Sequence, residues 1–513
     1  MKDVVVIGAG PGGLVTTKEL YENGITNIVC LEKQSDIGGV YLHSYENLTL
    51  TSSCLFSMFS DYWVGDDQVN HFWHKSEVID YWRSYVSFYK IEKFIQFNTE
   101  VLKTEYQDSH WKLWMSNNKT LKAKSLVVAT GNNRYENLPK WAHQLTNIHS
   151  LHSKDYINSK IFTGKRVVVI GGGESASDIT LEISKVAEQT YVSIRNTTGW
   201  ILPRMRGMQA SDLATHRSLY GIPRNYGREL SKQILDHEIS TSNPVNSIAA
   251  ELNSKIESDY GIWGTYGTKC FSLPQAIANY GCKLCGEITA VEDGGKTLVP
   301  QNGEVINDID IVLFCTGYKT YLPFLPLELQ NIDPRSLFKH MYHPDFGISL
   351  SWVGLARPGF GSQFPIMEMQ ARYYALITAG VKSLPSKEKM KQQIRFDADK
   401  NLSQFGHNAQ RIRNLVDYHH YMDDMAKDIG CFPPLWKLFF VSTRAWLAVV
   451  FGPTQATQYR LCGPGSKRRE SIKILNKIPY SRFNHVVKAG VKGRFSFLVK
   501  RIITALRLHW HKA

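Results

Sequence analysis

The chain has 513 residues, 43% of them hydrophobic and 12% aromatic, which excludes both a single ordinary domain and a disordered chain. Its formal charge of +14 is uneven: Glu470 is the last acidic residue, ten Lys or Arg follow it, and the other 50 nearly balance 46 Asp and Glu. Basic character confined to one tail, without a zinc-finger, RRM or KH pattern, excludes a general nucleic-acid binder.

From the N-terminus, "DVVVIG" is a short buried strand, "GLVTTKELYENG" has helical spacing with a glycine stop, and "NIVCLE" is a second strand. This start carries no basic n-region or cleavage site, so no signal peptide is expected. A helix is expected at about 75–90, antiparallel strands at "IQFNTEVLKTEYQ" and "HWKLWMS", and a buried strand at "AKSLVVATG" (123–131). A second strand–glycine–helix–strand unit begins near Phe162, runs through Arg195 and ends near 300. "DIDIVLFCTGY" at 308–318 repeats the strand ending in Thr-Gly and is expected to rejoin the first sheet. Residues 354–380 are expected to form a turn feeding a long helix. The apolar run 435–451 contains Lys437 and Arg444, so it is not expected to span a membrane. Eight scattered cysteines, mostly in apolar runs, suit reduced core thiols of a cytosolic compartment.

The two glycine turns carry the chemistry. In Gly8-x-Gly10-x-x-Gly13 the first glycine permits the tight turn, the second lets backbone approach a pyrophosphate, and the third lets helix and strand pack closely. The helix N-terminus supplies unpaired N–H groups and partial positive charge. Glu32 stands 19 residues beyond Gly13, where a carboxylate accepts hydrogen bonds from a ribose 2′-OH. The second turn is Gly171-x-Gly173-x-x-Ala176, and 19 residues beyond Ala176 stands Arg195. A guanidinium there grips a 2′-phosphate that a carboxylate would repel. The first cradle therefore favours a nucleotide with a free ribose, as in FAD, and the second favours NADP over NAD. Two nucleotide sites in one chain let hydride pass from a mobile nicotinamide to a held flavin. The expected fold is α/β, with two Rossmann-like dinucleotide-binding domains and an amphipathic helical tail. The FAD-binding domain comprises 1–157 and 304–470, the inserted NADP-binding domain 158–303, and the basic tail 471–513.

Over about 1–470 the sequence resembles the flavin-containing monooxygenases, in particular the animal-type branch. The resemblance rests on "EKQSDIGGVY" (32–41), "HSKDY" (152–156), "GWILPR", "FCTGY" (314–318), "EMQARY" (368–373) and the long "FGPTQATQYRLCGPG" (451–465). It implies an enzyme in which NADPH reduces FAD, O₂ adds to flavin C4a, and a nucleophilic nitrogen or sulfur of a small molecule takes oxygen from the resulting hydroperoxide. Baeyer–Villiger oxygenation and hydrogen-peroxide-forming NADPH oxidation are alternatives on the same fold. The cofactor-binding residues expected are Gly8, Gly10, Gly12, Gly13, Glu32, Gly39, Val40, Tyr41, Val101, Ala129, Thr130, Gly131, Gly171, Gly173, Ser175, Ala176, Arg195, Thr316 and Gly317. Arg204 is a candidate assistant to Arg195. The sequence departs from the family pattern at Tyr41 (usually Trp), Thr146 and Ile148 (Phe and Gly), and Glu174 (Asn). Thr51 falls where the family's active-site Asn is expected and keeps a hydroxyl donor but not the amide. Thr51 and Gln370, the latter expected near the nicotinamide or flavin, are the candidate catalytic residues.

"CKLC" at 282–285 has redox spacing and raises a disulfide-reductase reading, but its place late in the second unit favours a structural role. His71, His74, His419 and His420 match no metal pattern, and no metal is expected. In the tail, Phe495, Leu498, Val499, Ile502, Ile503, Leu506 and Trp510 share one helical face and Lys500, Arg501, Arg507 and Lys512 the other. That pattern suits an anionic bilayer surface. The expected partners are thus an amine or sulfur substrate, O₂ and a membrane surface. The expected location is the cytoplasmic face of a membrane (endoplasmic reticulum in a eukaryote) or else the cytoplasm. Self-association into a homo-oligomer is left open.

Overall fold

The computed structural model describes residues 1–478 except 66–67, 196, 218–227, 229–230, 237–238 and 240–241. The amphipathic face expected from Phe495 to Trp510 lies outside the described residues.

Strand β1 (Lys2–Ile7) ends in four buried residues and feeds helix α1 (Pro11–Glu22), after which β2 (Ile28–Leu31) returns beside β1. Pro at the first helical position suits α1, since its missing N–H would be unpaired there anyway. Helix α2 (Lys75–Tyr89) is capped by His74, whose ring accepts from Ser76 N–H while Glu77 accepts from His74 N–H at 2.7 Å. His74 therefore serves a capping box. Strands β3 (Ile95–Gln96), β4 (Val101–Gln107), β5 (His110–Met115) and β6 (Thr120–Val128) complete the first sheet, in order β3-β2-β1-β6-β5-β4. The order places β1 at the centre, parallel to both β2 and β6. A central strand is buried on both faces, hence the unbroken "VVVI".

The second sheet holds β7 (His149–His152), β8 (Arg166–Ile170), β9 (Gln189–Ser193), β10 (Lys283–Cys285) and β11 (Ile311–Phe314), in order β10-β9-β8-β11-β7, all parallel. Helix α3 (Glu174–Ser184) connects β8 to β9. Strand β11 is a correction to the sequence reading: it pairs with β7 and β8 and does not rejoin the first sheet. It is to the second sheet what β6 is to the first, a doubly buried strand beside the glycine-turn strand. The return is made instead by β12 (Leu350–Trp352), which pairs with β6. The second sheet thus recruits strands from both sides of the 158–303 segment, and the expected domain limits do not coincide with its edges.

Helix α4 (Gln363–Thr378) is buried along nearly its whole length and packs on α1. The late motif 451–465 is pinned by Arg460, 1% exposed at its side chain, whose guanidinium lies 2.6 Å from Glu19, 2.9 Å from Glu368 and 3.2 Å from Asp61. Lys18 adds contacts of 3.0 Å to Glu19 and 2.5 Å to Asp61. These three carboxylates lie close enough together to hold a metal ion, but here the guanidinium supplies the cation. Burial pushes Glu19 up, yet Arg460 and then Lys18 outweigh it and hold the carboxyl down to about 2. A buried charge persists only when paired this completely.

Candidate functional site

The first cradle is the turn from β1 into α1. Its N-cap, Gly10, has no side chain to satisfy the first-turn N–H groups, which are left for an oxyanion. A Cβ on Gly13 would stand 1.8 Å from the Gly8 carbonyl oxygen, so only glycine lets the helix approach the turn this closely. Glu32, 4% exposed, accepts from Ala9 N–H at 2.6 Å and from Gln34 N–H at 2.9 Å. It ties the turn to the end of β2 and retains acceptor capacity for a ribose hydroxyl. The single-turn helix Gly39–Leu42 folds back over the turn, with Gly38 N–H bonded to the Ala9 carbonyl at 3.3 Å. Tyr41 stands edge-on to Trp82 and to Phe364 at the start of α4, while Val40 is exposed. Val101 is buried at the head of β4. Ala129 follows β6 and donates to the Ile7 carbonyl at 2.9 Å. Thr130 and Gly131 line a cleft with Asn132, Arg134, Lys319 and Tyr321. The groups present fit FAD.

The second cradle repeats this design between β8 and α3. Gly173 is the N-cap, again without a side-chain bond. Gly171 has φ +132°, and a Cβ there would meet the Cys315 carbonyl oxygen at 2.4 Å. Ser175 is exposed and Ala176 buried in the first turn of α3. Arg195 is exposed just beyond β9 and pairs with no carboxylate among the described residues. Thr316, after β11, has a buried hydroxyl without a partner in the structure, and Gly317 accepts from His152 Nε2 at 3.1 Å. An uncapped helix start, an orphaned hydroxyl and an open guanidinium fit NADP. Arg204 is occupied elsewhere, 2.9 Å from Asp178 and 3.4 Å from the Thr49 carbonyl.

Side chains bridge the two cradles. Thr51 donates to Glu174 Oε2 at 3.2 Å, so the residue at the expected Asn position touches the first residue of α3. Glu174 Oε1 accepts from Lys269 N–H at 3.3 Å. The Lys269 ammonium, 6% exposed, donates to Ser52 Oγ at 3.0 Å and to the Gly361 carbonyl at 3.1 Å, next to α4. Asp212 accepts from Ser53 N–H at 2.7 Å; burial pushes its carboxyl up, opposed by the charge of Lys269. Lys269, Asp212 and Ser52 escaped the sequence reading, since no motif marks a lone buried charge whose partner lies 217 residues away.

Gln370 is drawn elsewhere. Fully buried, it accepts from Gly354 N–H at 2.9 Å and donates to Tyr421 Oη at 2.7 Å and the Lys339 carbonyl at 3.4 Å. Its amide braces α4 against its neighbours, which corrects the expectation of a group offered to the nicotinamide or flavin. Cys282 and Cys285 are free thiols on or beside the edge strand β10, and burial pushes them up to about 12 and about 11. A redox thiol needs the opposite shift.

A chain with two dinucleotide cradles joined this way is an oxidoreductase of the flavoprotein class. Residues 1–506 match the model of the flavin-binding monooxygenase-like family. A 4-hydroxybenzoate brominase (decarboxylating) of Marinomonas mediterranea is 33% identical over 494 residues, covering 93% of each chain. Flavin-containing monooxygenase 5 of Cavia porcellus is 30% identical over 546 residues, covering 97% of this chain and 98% of its own. Among solved structures, the NADP+-bound cyclohexanone monooxygenase of Rhodococcus sp. Phi1 superposes with a TM-score of 0.60 at 16% identity, over 83% of this chain and 97% of that one. The chain belongs to the flavin-binding monooxygenase-like family. It is a flavin-containing monooxygenase that uses FAD and NADPH.

Proposed function

We propose that this monooxygenase oxygenates a nucleophilic nitrogen or sulfur of a small molecule. What supports the reading is the likeness to dimethylaniline monooxygenase [N-oxide-forming] 2 of Oryctolagus cuniculus, 30% identical over 535 residues and 97% of this chain. Bound FAD supplies oxygen activation and bound NADPH the hydride. The protein's part is to orient and to exclude water. Gly10 and Gly173 leave backbone donors for the two pyrophosphates, Glu32 holds the ribose of the first nucleotide, and Arg195 holds the 2′-phosphate of the second. Lys269, Ser52 and the Gly361 carbonyl form a buried polar wall beside the Thr51 loop, which in this reading would face flavin and substrate.

The test is turnover of purified protein with NADPH and ¹⁸O₂ on a panel of tertiary amines, thioethers and ketones. The panel also includes 4-hydroxybenzoate with and without bromide, the acid named for the brominase relative. One labelled oxygen in an N-oxide or S-oxide supports the reading, and an ester or lactone product replaces it with Baeyer–Villiger oxygenation. A second reading, NADPH oxidation to hydrogen peroxide, is favoured by Thr51, whose hydroxyl is tied to Glu174. Hydrogen peroxide equal to NADPH consumed, with every substrate present, would establish it. The basic tail is assigned to a membrane surface on its sequence pattern.

A further inference from the structure

Lys269 is a buried cation that the fold leaves without a counter-ion. The buried cations Lys18, Arg217 and Arg460 each pair with at least one carboxylate. The Lys269 ammonium instead meets two neutral oxygens, Ser52 Oγ at 3.0 Å and the Gly361 carbonyl at 3.1 Å, and forms no ion pair among the described residues. Glu174, the carboxylate bonded to this residue, takes its backbone N–H at 3.3 Å and not its ammonium. Close packing fixes the arrangement. Lys269 directly follows the two-residue strand Gly267–Thr268, which pairs with Trp200–Ile201. Gly361 sits at φ +106°, where a Cβ would meet the Tyr418 ring at 2.6 Å, so its carbonyl is held in place. A buried charge is costly unless paired. An ammonium has three donors, and neutral acceptors of the protein occupy two of them.

The surroundings select the kind of group that completes the set. Ser52 carries the ammonium, and the next residue, Ser53, donates its N–H to Asp212 Oδ2 at 2.7 Å, so both charged side chains converge on one loop. Asp212 Oδ1 is buried without a partner. Burial pushes the Asp212 carboxyl up against the opposing charge of Lys269, which weakens it as a counter-ion. Helix α4 begins at the same point. Its N-cap is Ser362, next to Gly361, and the partial positive charge at the start of a 16-residue helix adds to that of the ammonium. An ammonium group brought here would be repelled by Lys269, and an apolar group would leave its charge uncompensated. A carboxylate both neutralises the charge and accepts the remaining N–H.

We propose that Lys269 holds a carboxylate of the substrate, so that the molecule oxygenated is an organic acid bearing a nucleophilic nitrogen or sulfur. This rests on the reading of the Thr51 loop as the wall that faces flavin and substrate. The probes are 4-(methylthio)benzoate, (methylthio)acetate and 4-(dimethylamino)benzoate, each beside its neutral primary amide, given to the full-length FAD-loaded protein. Dissociation constants are read from the change in flavin absorbance without NADPH, and kcat/KM from labelled oxide formed with NADPH and ¹⁸O₂. Wild type is expected to favour the acid of at least one pair by about ten- to hundredfold, the range of a charge-assisted bond, with the difference in Kd and KM rather than in kcat. Lys269→Met should bring that ratio close to one, and Lys269→Arg should keep most of it. Lys269→Gln, which still donates to Ser52 or Gly361 but carries no charge, guards against a loss of folding in Lys269→Met. Acid and amide bound equally in every pair by wild type overturn the proposal, whatever the variants do. A preference that survives in both uncharged variants overturns it too. A lower flavin midpoint potential in Lys269→Met, with the acid-to-amide ratio unchanged, assigns the ammonium to the reduced flavin instead. Acid preference in binding without labelled oxide from any probe sinks the oxygenation reading and leaves the carboxylate site standing; labelled oxides formed without acid preference do the reverse.

Discussion

Arg195 and Glu32 occupy matching points of two cradles with opposite charge, and their surroundings differ as much as their signs. Glu32 is buried and already clamps the first turn through Ala9, whereas Arg195 is exposed and unclaimed by any carboxylate among the described residues. Arg195→Ala is expected to raise the KM for NADPH roughly ten- to hundredfold, the worth of about 1.5–3 kcal/mol of charge-assisted bonding. The KM for NADH should stay unchanged; steady-state flavin reduction with both nucleotides checks this. At Cys282 and Cys285, Ser substitution is expected to leave NADPH-driven turnover intact, because burial holds both thiols protonated. The glycines, Glu32 and Arg195 were legible in the sequence because they sit at fixed offsets within one strand–turn–helix unit. Lys269 and Asp212 were not, because what makes them part of a site is contact with the distant segment 51–53.

Among elements, the two turns should fail differently. Gly13→Ala forces a Cβ to within 1.8 Å of the Gly8 carbonyl and is expected to yield colourless protein without FAD. Gly171→Ala drives a Cβ toward the Cys315 carbonyl at a φ that L side chains rarely adopt. That protein should remain yellow yet be reduced by NADPH far more slowly; its absorbance spectrum before and after NADPH addition separates the cases. Most strands, helix α2 and the long helix after the 354–362 turn were readable from apolar period and glycine placement, but Ile95–Gln96, expected within one antiparallel strand, forms β3 and pairs parallel with β2. The partner of β11 was not. "IVLF" is apolar on both faces and would suit the middle of either sheet; the register of Ile311–Phe314 against Val167–Ile170 decides it.

At the scale of the molecule, the buried charge group around Arg460 sets the acid limit of stability. Glu19 is held down to about 2, and at Asp61 burial is again outweighed by Arg460, Lys18 and Lys467. A depressed folded-state value means that this stabilisation is complete above the ordinary carboxylate range, near 4.5 for Glu19, and drains as pH falls toward 2. Arg460→Met strands buried carboxylates and is expected to cost about 3–5 kcal/mol at neutral pH. The deficit should narrow on acidification as the carboxyls of the variant take up protons; melting temperatures of both proteins from pH 8 to pH 5 measure the convergence.

The same cluster decides how this polypeptide could be divided. Lys18 and Glu19 come from the opening helix, Asp61 from the loop beyond Thr51, Glu368 from α4 and Arg460 from the late motif. A fragment that runs from the opening helix through α4 but stops short of Arg460 keeps the three acids with Lys18 alone to balance them. The first nucleotide fold can therefore not be expected to be harvested as a free-standing module by cutting at its sheet border, and an engineer grafting new loops there would have to carry this keystone along.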